Sequence, residues 1–144
     1  MRPLEGIRIL DLSHVLAMPY CTMILSDLGA EVIKIEKSDG DDSRKFGPYK
    51  NGESAYYMSI NRNKKSVVIN LKDEKGKEIL KDLIKICDVI TENFRPGTME
   101  KLGFSYENIK KINPKIIYAT ISQFGNDSVY PGRPGYDIIA QAYG

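Results

Sequence analysis

Hydrophobic and polar positions along the chain switch repeatedly between two periods. Short segments that are β-branched, or that alternate apolar with polar side chains, are typical of strands. Between them lie segments with apolar residues three or four positions apart, which is typical of helices. Strands are predicted at residues 7–12, 31–36, 66–70, 88–90 and 116–122. Helices are predicted at residues 19–28, 73–85, 98–102 and 105–112, and another begins at residue 137.

This alternation of strands and helices predicts the fold class. A strand can lie parallel to the one before it only if a crossover, usually a helix, returns the chain. We therefore expect one domain over residues 1–144, of open doubly wound (Rossmann-like) α/β type with a mostly parallel sheet. The alternating strand at residues 31–36 is expected near a sheet edge, and the glycine- and proline-rich residues 125–135 are expected to form a loop.

Composition narrows the functional class only a little. The 144 residues carry a formal net charge of +2, which is too small to indicate a nucleic acid partner. No uncharged run is long enough to span a bilayer. Since His14 is the only histidine, a multi-histidine metal site is excluded. Cys21 and Cys87 occupy apolar helical positions, which indicates buried thiols in a reducing cytoplasm and neither a disulfide nor a metal site.

Candidate chemistry is sought at the carboxyl ends of the strands, where open parallel sheets bind their ligands. No loop there contains G-x-G-x-x-G, which weighs against a dinucleotide oxidoreductase. Cations cluster near strand ends instead, and they could hold the phosphates of a nucleotide-like ligand. A solvated basic rim is the alternative that composition alone favours, and an RNA-binding patch is a third. The cations are Lys37, Arg62, Lys64, Lys65, Lys72, Arg95 and Lys101.

His14 and Asp137 belong to residue types that often act in catalysis, but a structural role is favoured for each. His14 directly follows Ser13, and adjacent residues rarely align for nucleophile activation, so a partly buried histidine that donates one hydrogen bond is favoured. Asp137 stands at a helix start, where an N-terminal cap is favoured over catalysis.

Longer motifs indicate a family. "GDDSR" (Gly40–Arg44), "NRNKKSVVINLK" (61–72) and "DVITENFRPGTMEKLGFSYENI" (88–109) resemble signatures of the class III CoA-transferases, the group of formyl-CoA and carnitine CoA-transferases. The opening residues 3–36 and the closing residues 132–144 are similar to the same family. The resemblance covers essentially the whole chain.

The resemblance implies more chain than is present. Family members are longer, with a Rossmann-like first domain, a smaller second domain and two interlocked subunits in a homodimer. Their nucleophilic aspartate lies downstream of the position of Gly144, and neither Asp11 nor Asp137 matches it. The chain is therefore expected to be a truncated N-terminal CoA-binding domain, inactive alone, with no catalytic residue of its own.

The resemblance also assigns site residues. Lys37 and Lys101 stand where arginines are frequent, so their grip on phosphate is expected to be weaker. The CoA-binding residues implied are His14, Val15, Ala17, Lys37, Ile69, Lys72, Asn93, Phe94, Arg95 and Lys101.

Three further positions bear on the substrate. Leu16 replaces a glutamine of the formyl-CoA transferases, which argues against oxalate and formate. Met18 replaces a common glycine and is expected to narrow the same pocket. Tyr136 replaces the catalytic histidine of α-methylacyl-CoA racemases, which favours a transferase over a racemase.

The leading hypothesis is thus that the chain is part of an enzyme that moves CoA between an acyl-CoA and a carboxylic acid. CoA is expected to act as the carrier, and no metal is expected. A racemase-like enzyme, a non-catalytic CoA-binding fragment and a nucleic-acid-binding domain are the alternatives. No nucleic acid or membrane partner is expected for the leading hypothesis.

Overall fold

The computed structural model describes residues 2–125, 129–130, 133 and 135–143. The predicted loop at residues 125–135 therefore lies partly outside the described residues. In chain order the strands are β1 (Arg8–Asp11), β2 (Glu31–Glu36), β3 (Tyr49–Lys50), β4 (Glu53–Ser54), β5 (Lys65–Val68), β6 (Val89–Glu92) and β7 (Ile117–Thr120). The helices are α1 (Ala17–Asp27), α2 (Ala55–Asn61), α3 (Glu74–Ile86), α4 (Thr98–Lys101), α5 (Tyr106–Ile112) and α6 (Asp137–Tyr143).

Five strands form one parallel sheet in the order β5-β2-β1-β6-β7. Counted within this sheet, the order is 3-2-1-4-5, which is that of doubly wound nucleotide-binding folds. The chain moves outward from β1 in one direction and then, after β5, crosses back to β6 on the other side. The predicted α/β class with a parallel sheet is confirmed, and the strand order reverses between β1 and β6.

The two faces of the sheet bury different sets of side chains. Leu10 and its neighbours pack against α3, α4 and α5, and this larger core includes Leu80, Ile84 and Phe104. Ile9, one residue earlier and on the opposite face, belongs to a smaller cluster on the side of α1. The period-two alternation of a strand thus supplies one residue to each core.

The alternating segment that forms β2 was expected near a sheet edge, and β2 lies next to the edge strand β5, with β1 on its other side. Its polar residues Lys34 and Glu36 are 0% and 4% exposed. They are buried because they meet counter-charges on the α1 face: Lys34 pairs with Asp41, and Glu36 pairs with Arg44. An alternating pattern is typical of a strand with one solvated face, but here the polar face is buried and ionic.

Glu36 holds residues 37–65 in place. These residues are mostly polar, and their pattern predicts neither a strand nor a helix. These residues contain a 3-10 helix (Asp42–Lys45), the hairpin β3–β4 and α2. Glu36 accepts hydrogen bonds from Arg44 Nε at 2.8 Å and Nη2 at 2.7 Å, and from the Tyr57 hydroxyl at 2.9 Å. The Arg44 guanidinium also lies 3.7 Å from the centre of the Tyr57 ring. Residues 37–65 are thus held against the carboxyl end of β2.

The two cysteines differ in their surroundings. Cys87 is buried, as expected, and burial raises the pKa of its thiol to about 11. Cys21 is exposed on α1, so the prediction of a buried thiol is wrong there, because its side of the helix faces away from the sheet. No described helix is long and apolar enough to cross a membrane.

Gly76 allows α3 to approach the end of β5 closely. A Cβ placed there would lie 2.1 Å from the carbonyl oxygen of Asn70 and 2.9 Å from its carbonyl carbon.

We expect Gly76→Ala to lower the free energy of unfolding by about 1–3 kcal/mol, because backbone must move to make room. Inside an exposed helix the same change would stabilise by up to about 1 kcal/mol. Chemical denaturation measures the sign, and Glu78→Ala on the exposed face of α3 is the control. A more stable Gly76→Ala variant would contradict the close contact.

Ionisation of Glu36 stabilises the fold, so the free energy of unfolding is expected to fall in acid. Burial raises the pKa of Glu36, but hydrogen bonds from Arg44, Ser66 and Tyr57 outweigh it, so that this pKa lies well below its usual value. A folded-state pKa below the unfolded one stabilises the fold above the ordinary pKa of 4.5, and this stabilisation is lost as the pH falls. Glu36→Gln should cost about 2 kcal/mol at neutral pH.

The same variant should flatten the dependence of the denaturation midpoint on pH between about 5 and 2. Glu78→Gln, which changes an exposed carboxylate on α3, should leave the slope of the unchanged protein. An equal slope in Glu36→Gln and the unchanged protein would mean that Glu36 is not the group that titrates.

Candidate functional site

A cleft of about 500 Å³ lies over the carboxyl ends of β1, β2, β5 and β6. It straddles the point between β1 and β6 where the strand order reverses, and there the loops after neighbouring strands turn to opposite faces and leave a crevice. Its walls are formed by residues 12–14, 35–42 and 69–72 together with Phe94, Thr98 and Leu102.

Five of the ten predicted CoA-binding residues line this one cleft. They are His14, Lys37, Ile69, Lys72 and Phe94. The rings of His14 and Phe94 lie 5.4 Å apart and form one apolar wall. Four separate strand-end loops supply these residues, so only the parallel arrangement of the strands brings them together.

Three further predicted residues lie next to the cleft without lining it. The amide of Asn93 is engaged by backbone, because its Oδ1 accepts the His14 N–H at 2.9 Å and its Nδ2 donates to the His14 carbonyl at 2.8 Å. The Val15 N–H donates to Asp41 Oδ1 at 3.2 Å. Ala17 is the exposed first residue of α1.

The other two predicted cations lie elsewhere. Arg95 lines a neighbouring cleft of about 580 Å³ at the carboxyl ends of β6 and β7. Lys101 is exposed at the end of α4 and lines neither cleft, although the next residue, Leu102, lines the first. Phe94 lines both clefts and separates them.

The three residues predicted for the substrate pocket also lie outside both clefts. Leu16 is the exposed N-cap residue of α1, and Met18 is buried at 3% exposure in its first turn. Tyr136 is exposed just before α6. The described residues do not join these three into one pocket.

The charge of the main cleft differs from the expected cationic rim. Lys37 Nζ lies 2.8 Å from Asp42 and 3.6 Å from Asp39, and the hydrogen bond to Asp42 raises the pKa of this lysine. The Lys72 side chain makes no hydrogen bond or ion pair with the described residues and is exposed. Lys72 is therefore the more available cation of the two.

Three other cations that the sequence placed near strand ends are engaged in ion pairs within the chain. Arg62 pairs with Asp27 and Lys65 with Glu31. Lys64 is buried and lies 3.1 Å from Asp11 Oδ2. The segment that carries them enters β5 at its amino end, so these three cations lie away from the cleft at the carboxyl ends of the strands.

His14 and Asp11 have no nucleophilic role in this geometry. The His14 ring makes no hydrogen bond with the described residues, which corrects the expected donated bond, and burial lowers its pKa below the usual value. Asp11 is 0% exposed. Its carboxylate accepts hydrogen bonds from Thr22 at 2.7 Å and Thr91 at 3.1 Å, and it also contacts Ser13.

Burial raises the pKa of Asp11, yet Lys64 and Lys34 outweigh that effect and hold the pKa below its usual value. Asp11 is thus ionised but closed to substrate. Asp137, expected as an N-cap, is the first residue of α6 and accepts a hydrogen bond from Gln141.

Sequence reasoning missed the residues that support the cleft. Lys34 Nζ donates to the Ser13 carbonyl at 2.7 Å and lies 2.9 Å from Asp41 Oδ2, with both side chains 1% exposed. The signal was present in "GDDSR", which was used as a family signature and not for its chemistry. A lysine in an otherwise apolar strand was the second signal.

Comparison with known proteins agrees with the fold and the strand-end motifs. The family model of CoA-transferase family III matches residues 4–144. The chain is 54% identical over 144 residues to the succinyl-CoA:glutarate CoA-transferase of Mus musculus, covering 99% of this chain and 33% of the relative. It is 49% identical over 141 residues to the acetyl-CoA:oxalate CoA-transferase of Acetobacter aceti, covering 97% and 36%. The chain thus spans about a third of the length of these relatives.

Solved structures give the same result. A CAIB/BAIF family protein from Brucella suis superposes with a TM-score of 0.94 at 40% identity, over 99% of this chain and 39% of that one. A putative betaketoacyl-ACP reductase, at 12% identity and a TM-score of 0.51, shares the fold alone. With a family model matched over nearly its whole length, the chain belongs to CoA-transferase family III.

Proposed function

We propose that this chain forms the CoA-binding part of an enzyme that moves CoA between an acyl-CoA and a carboxylic acid. The observation that supports this most is the single cleft lined by His14, Lys37, Ile69, Lys72 and Phe94 at the strand-order reversal. It combines apolar side chains, against which the adenine and the pantetheine arm would pack, with cations for phosphate. Small-molecule sites typically have this composition of apolar walls and a few placed polar groups.

In this proposal each wall of the cleft holds a different part of CoA. Ile69 and Lys72, after β5, lie beside the adenine and the ribose phosphate. His14 and Phe94 cover the pyrophosphate and the start of the pantetheine arm. Arg95, in the neighbouring cleft, lies on the far side of Phe94, where the arm leaves the domain. Lys101 is proposed to reach phosphate from the end of α4 only once ligand is present.

The chemistry proposed for the whole enzyme passes through an aspartyl–CoA thioester. A carboxylate attacks the donor thioester, which gives a mixed anhydride and the CoA thiolate. The thiolate then attacks the aspartyl carbonyl and releases the donor acid, and an incoming acid repeats the two steps in reverse. Since Asp11 is fully buried and Asp137 lies on α6 away from the cleft, we assign the nucleophile to neither.

The identity of the acid is proposed only as a class. The succinyl-CoA:glutarate CoA-transferase is 54% identical, and the acetyl-CoA:oxalate and formyl-CoA:oxalate enzymes are 49% and 43% identical. With Leu16 at the position of the formyl-CoA transferase glutamine, we propose a dicarboxylic acid larger than oxalate.

The racemase and nucleic-acid alternatives find no support among the described residues. Tyr136 offers no histidine for a racemase, and three of the cations that suggested RNA binding are held in ion pairs. We also propose that the whole protein is cytoplasmic and forms a homodimer. Light scattering, which measures the mass of the particle in solution, tests the dimer.

Lys72 tests the phosphate contact. We expect Lys72→Ala to raise the Kd for CoA about fivefold, because an exposed cation contributes roughly 1 kcal/mol to such a pair. With dephospho-CoA, which lacks the ribose phosphate, the variant and the unchanged protein should bind within about twofold of each other. Titration calorimetry measures both. Lys81→Ala, which removes an exposed lysine from α3, should have no effect, and an equal loss with both ligands would place Lys72 away from that phosphate.

Asp42 tests the competition for Lys37. Because Asp42 holds Lys37 at 2.8 Å, a phosphate must displace it before it can bind this lysine. Asp42→Asn should therefore tighten CoA binding about threefold at low salt, with a smaller gain at high salt. Asp82→Asn, which frees Lys85 on α3 in the same way, is the matched control. Weaker binding by Asp42→Asn would mean that the carboxylate itself contacts the ligand.

A further inference from the structure

The loop that carries His14 has an unfavourable backbone conformation. Val15 has a φ of 66°, in the left-handed region. A β-branched residue rarely adopts this region, because its Cβ substituents crowd the backbone. Among the residues that the structure describes, the other two non-glycine residues with positive φ are Asn51 and Asn63, and asparagine tolerates this region. Val15 is thus the exception, and it stands beside a residue that lines the cleft.

Such a conformation persists only where surrounding contacts impose it. Side chains from two other segments bind the backbone from Ser13 to the N–H of Val15, on the amino-terminal side of the left-handed residue. From the loop after β6, Asn93 binds both the N–H and the carbonyl of His14, at 2.9 and 2.8 Å. This pairing fixes the peptide groups that flank the His14 side chain.

The second set of contacts comes from β2 and the loop that follows it. Lys34 Nζ donates to the Ser13 carbonyl at 2.7 Å, and Asp41 Oδ1 accepts the Val15 N–H at 3.2 Å. Lys34 and Asp41 also pair with each other at 2.9 Å, and both are almost fully buried. Ser43 donates to the same Asp41 oxygen from its N–H and its hydroxyl, so Asp41 is itself held in place.

We propose that Asn93, Lys34 and Asp41 are positioning residues, which hold residues 13–15 in the left-handed turn that presents His14 to the cleft. The inference rests on the proposed function, because the cleft is taken as the CoA site. It assigns to Asn93 a role through backbone in place of direct contact with the ligand. It also gives the buried Lys34–Asp41 pair a role in ligand binding.

The decisive experiment is a rescue by glycine. Asn93→Ala leaves no buried charge, and it should raise the Kd for CoA about tenfold, since only a fraction of molecules would keep the binding conformation. Glycine adopts positive φ without strain. Val15→Gly added to Asn93→Ala should therefore bring the Kd back to within about threefold of the unchanged protein. Val15→Gly alone is the reference for the double variant, which should bind CoA within about threefold of it.

The matched control is Asn51→Gly, a glycine placed at another left-handed position, in the β3–β4 turn, at a residue that does not line the cleft. It should not rescue Asn93→Ala. If Val15→Gly fails to rescue as well, Asn93 contacts CoA directly and the inference is wrong. An unchanged Kd in Asn93→Ala overturns it equally.

A second variant removes the ion pair without leaving a lone charge. Lys34→Met with Asp41→Asn keeps an acceptor for the Val15 N–H but loses the tie to the Ser13 carbonyl. It should weaken CoA binding in the same direction, and Val15→Gly should again restore it. A loss that Val15→Gly does not restore, in protein with an unchanged melting temperature, contradicts the positioning role of the pair.

Amide hydrogen exchange at residue 15 separates this inference from the proposed function. In the unliganded protein the Val15 amide should exchange about tenfold faster in Asn93→Ala, and slowly again in the double variant after correction for the intrinsic rate of glycine. If the unchanged protein binds no CoA, the proposed function fails, and these exchange rates still decide the inference. Equal exchange in all three proteins would overturn it.

Discussion

The ion pair between Lys34 and Asp41 is the constraint on which the loops at the carboxyl end of the sheet depend. It lies beside the carboxyl ends of β1 and β2, on the side of α1, with both side chains 1% exposed. A buried charge without a partner is strongly destabilising, so each residue fixes the position of the other. Since Lys34 belongs to β2 and Asp41 to the loop after it, the pair folds that loop back over the strand end. Its remaining contacts, to the Ser13 carbonyl and the Val15 N–H, fasten the neighbouring loop after β1.

The same face of the sheet carries a second pair, Lys64 with Asp11. The α3 face, by contrast, is a continuous apolar core. The two layers therefore contribute differently: apolar burial against α3 to α5 supplies most of the driving force for folding, while the ionic layer under α1 selects one arrangement of the loops. Polar groups with only one satisfactory set of partners are well suited to that selection, because each alternative arrangement leaves a charge unpaired.

The chemical properties of the cleft depend on the residues that hold its loops. Its apolar wall of His14 and Phe94 depends on backbone held by Asn93, and its cations differ in availability because Lys37 is engaged by Asp39 and Asp42. Binding a phosphate at such a site exchanges one ion pair for another, and an exchange of this kind favours ligands with more than one negative charge. CoA, with a pyrophosphate and a ribose phosphate, fits this requirement.

The sequence by itself determined the parallel α/β class, the main helices and strands, and the family, because periodicity and long motifs are local properties of the chain. The family resemblance also supplied five residues that line one cleft, at the edge where the strand ends of a parallel sheet meet. Only the tertiary structure decided that β2 is internal, that Lys64 and Arg62 serve the fold, that Cys21 is exposed and that Asn93 binds backbone. The physical reason is that a charged or amide side chain looks the same in sequence whether it meets solvent, ligand or a buried partner. Which of these it meets depends on residues far along the chain.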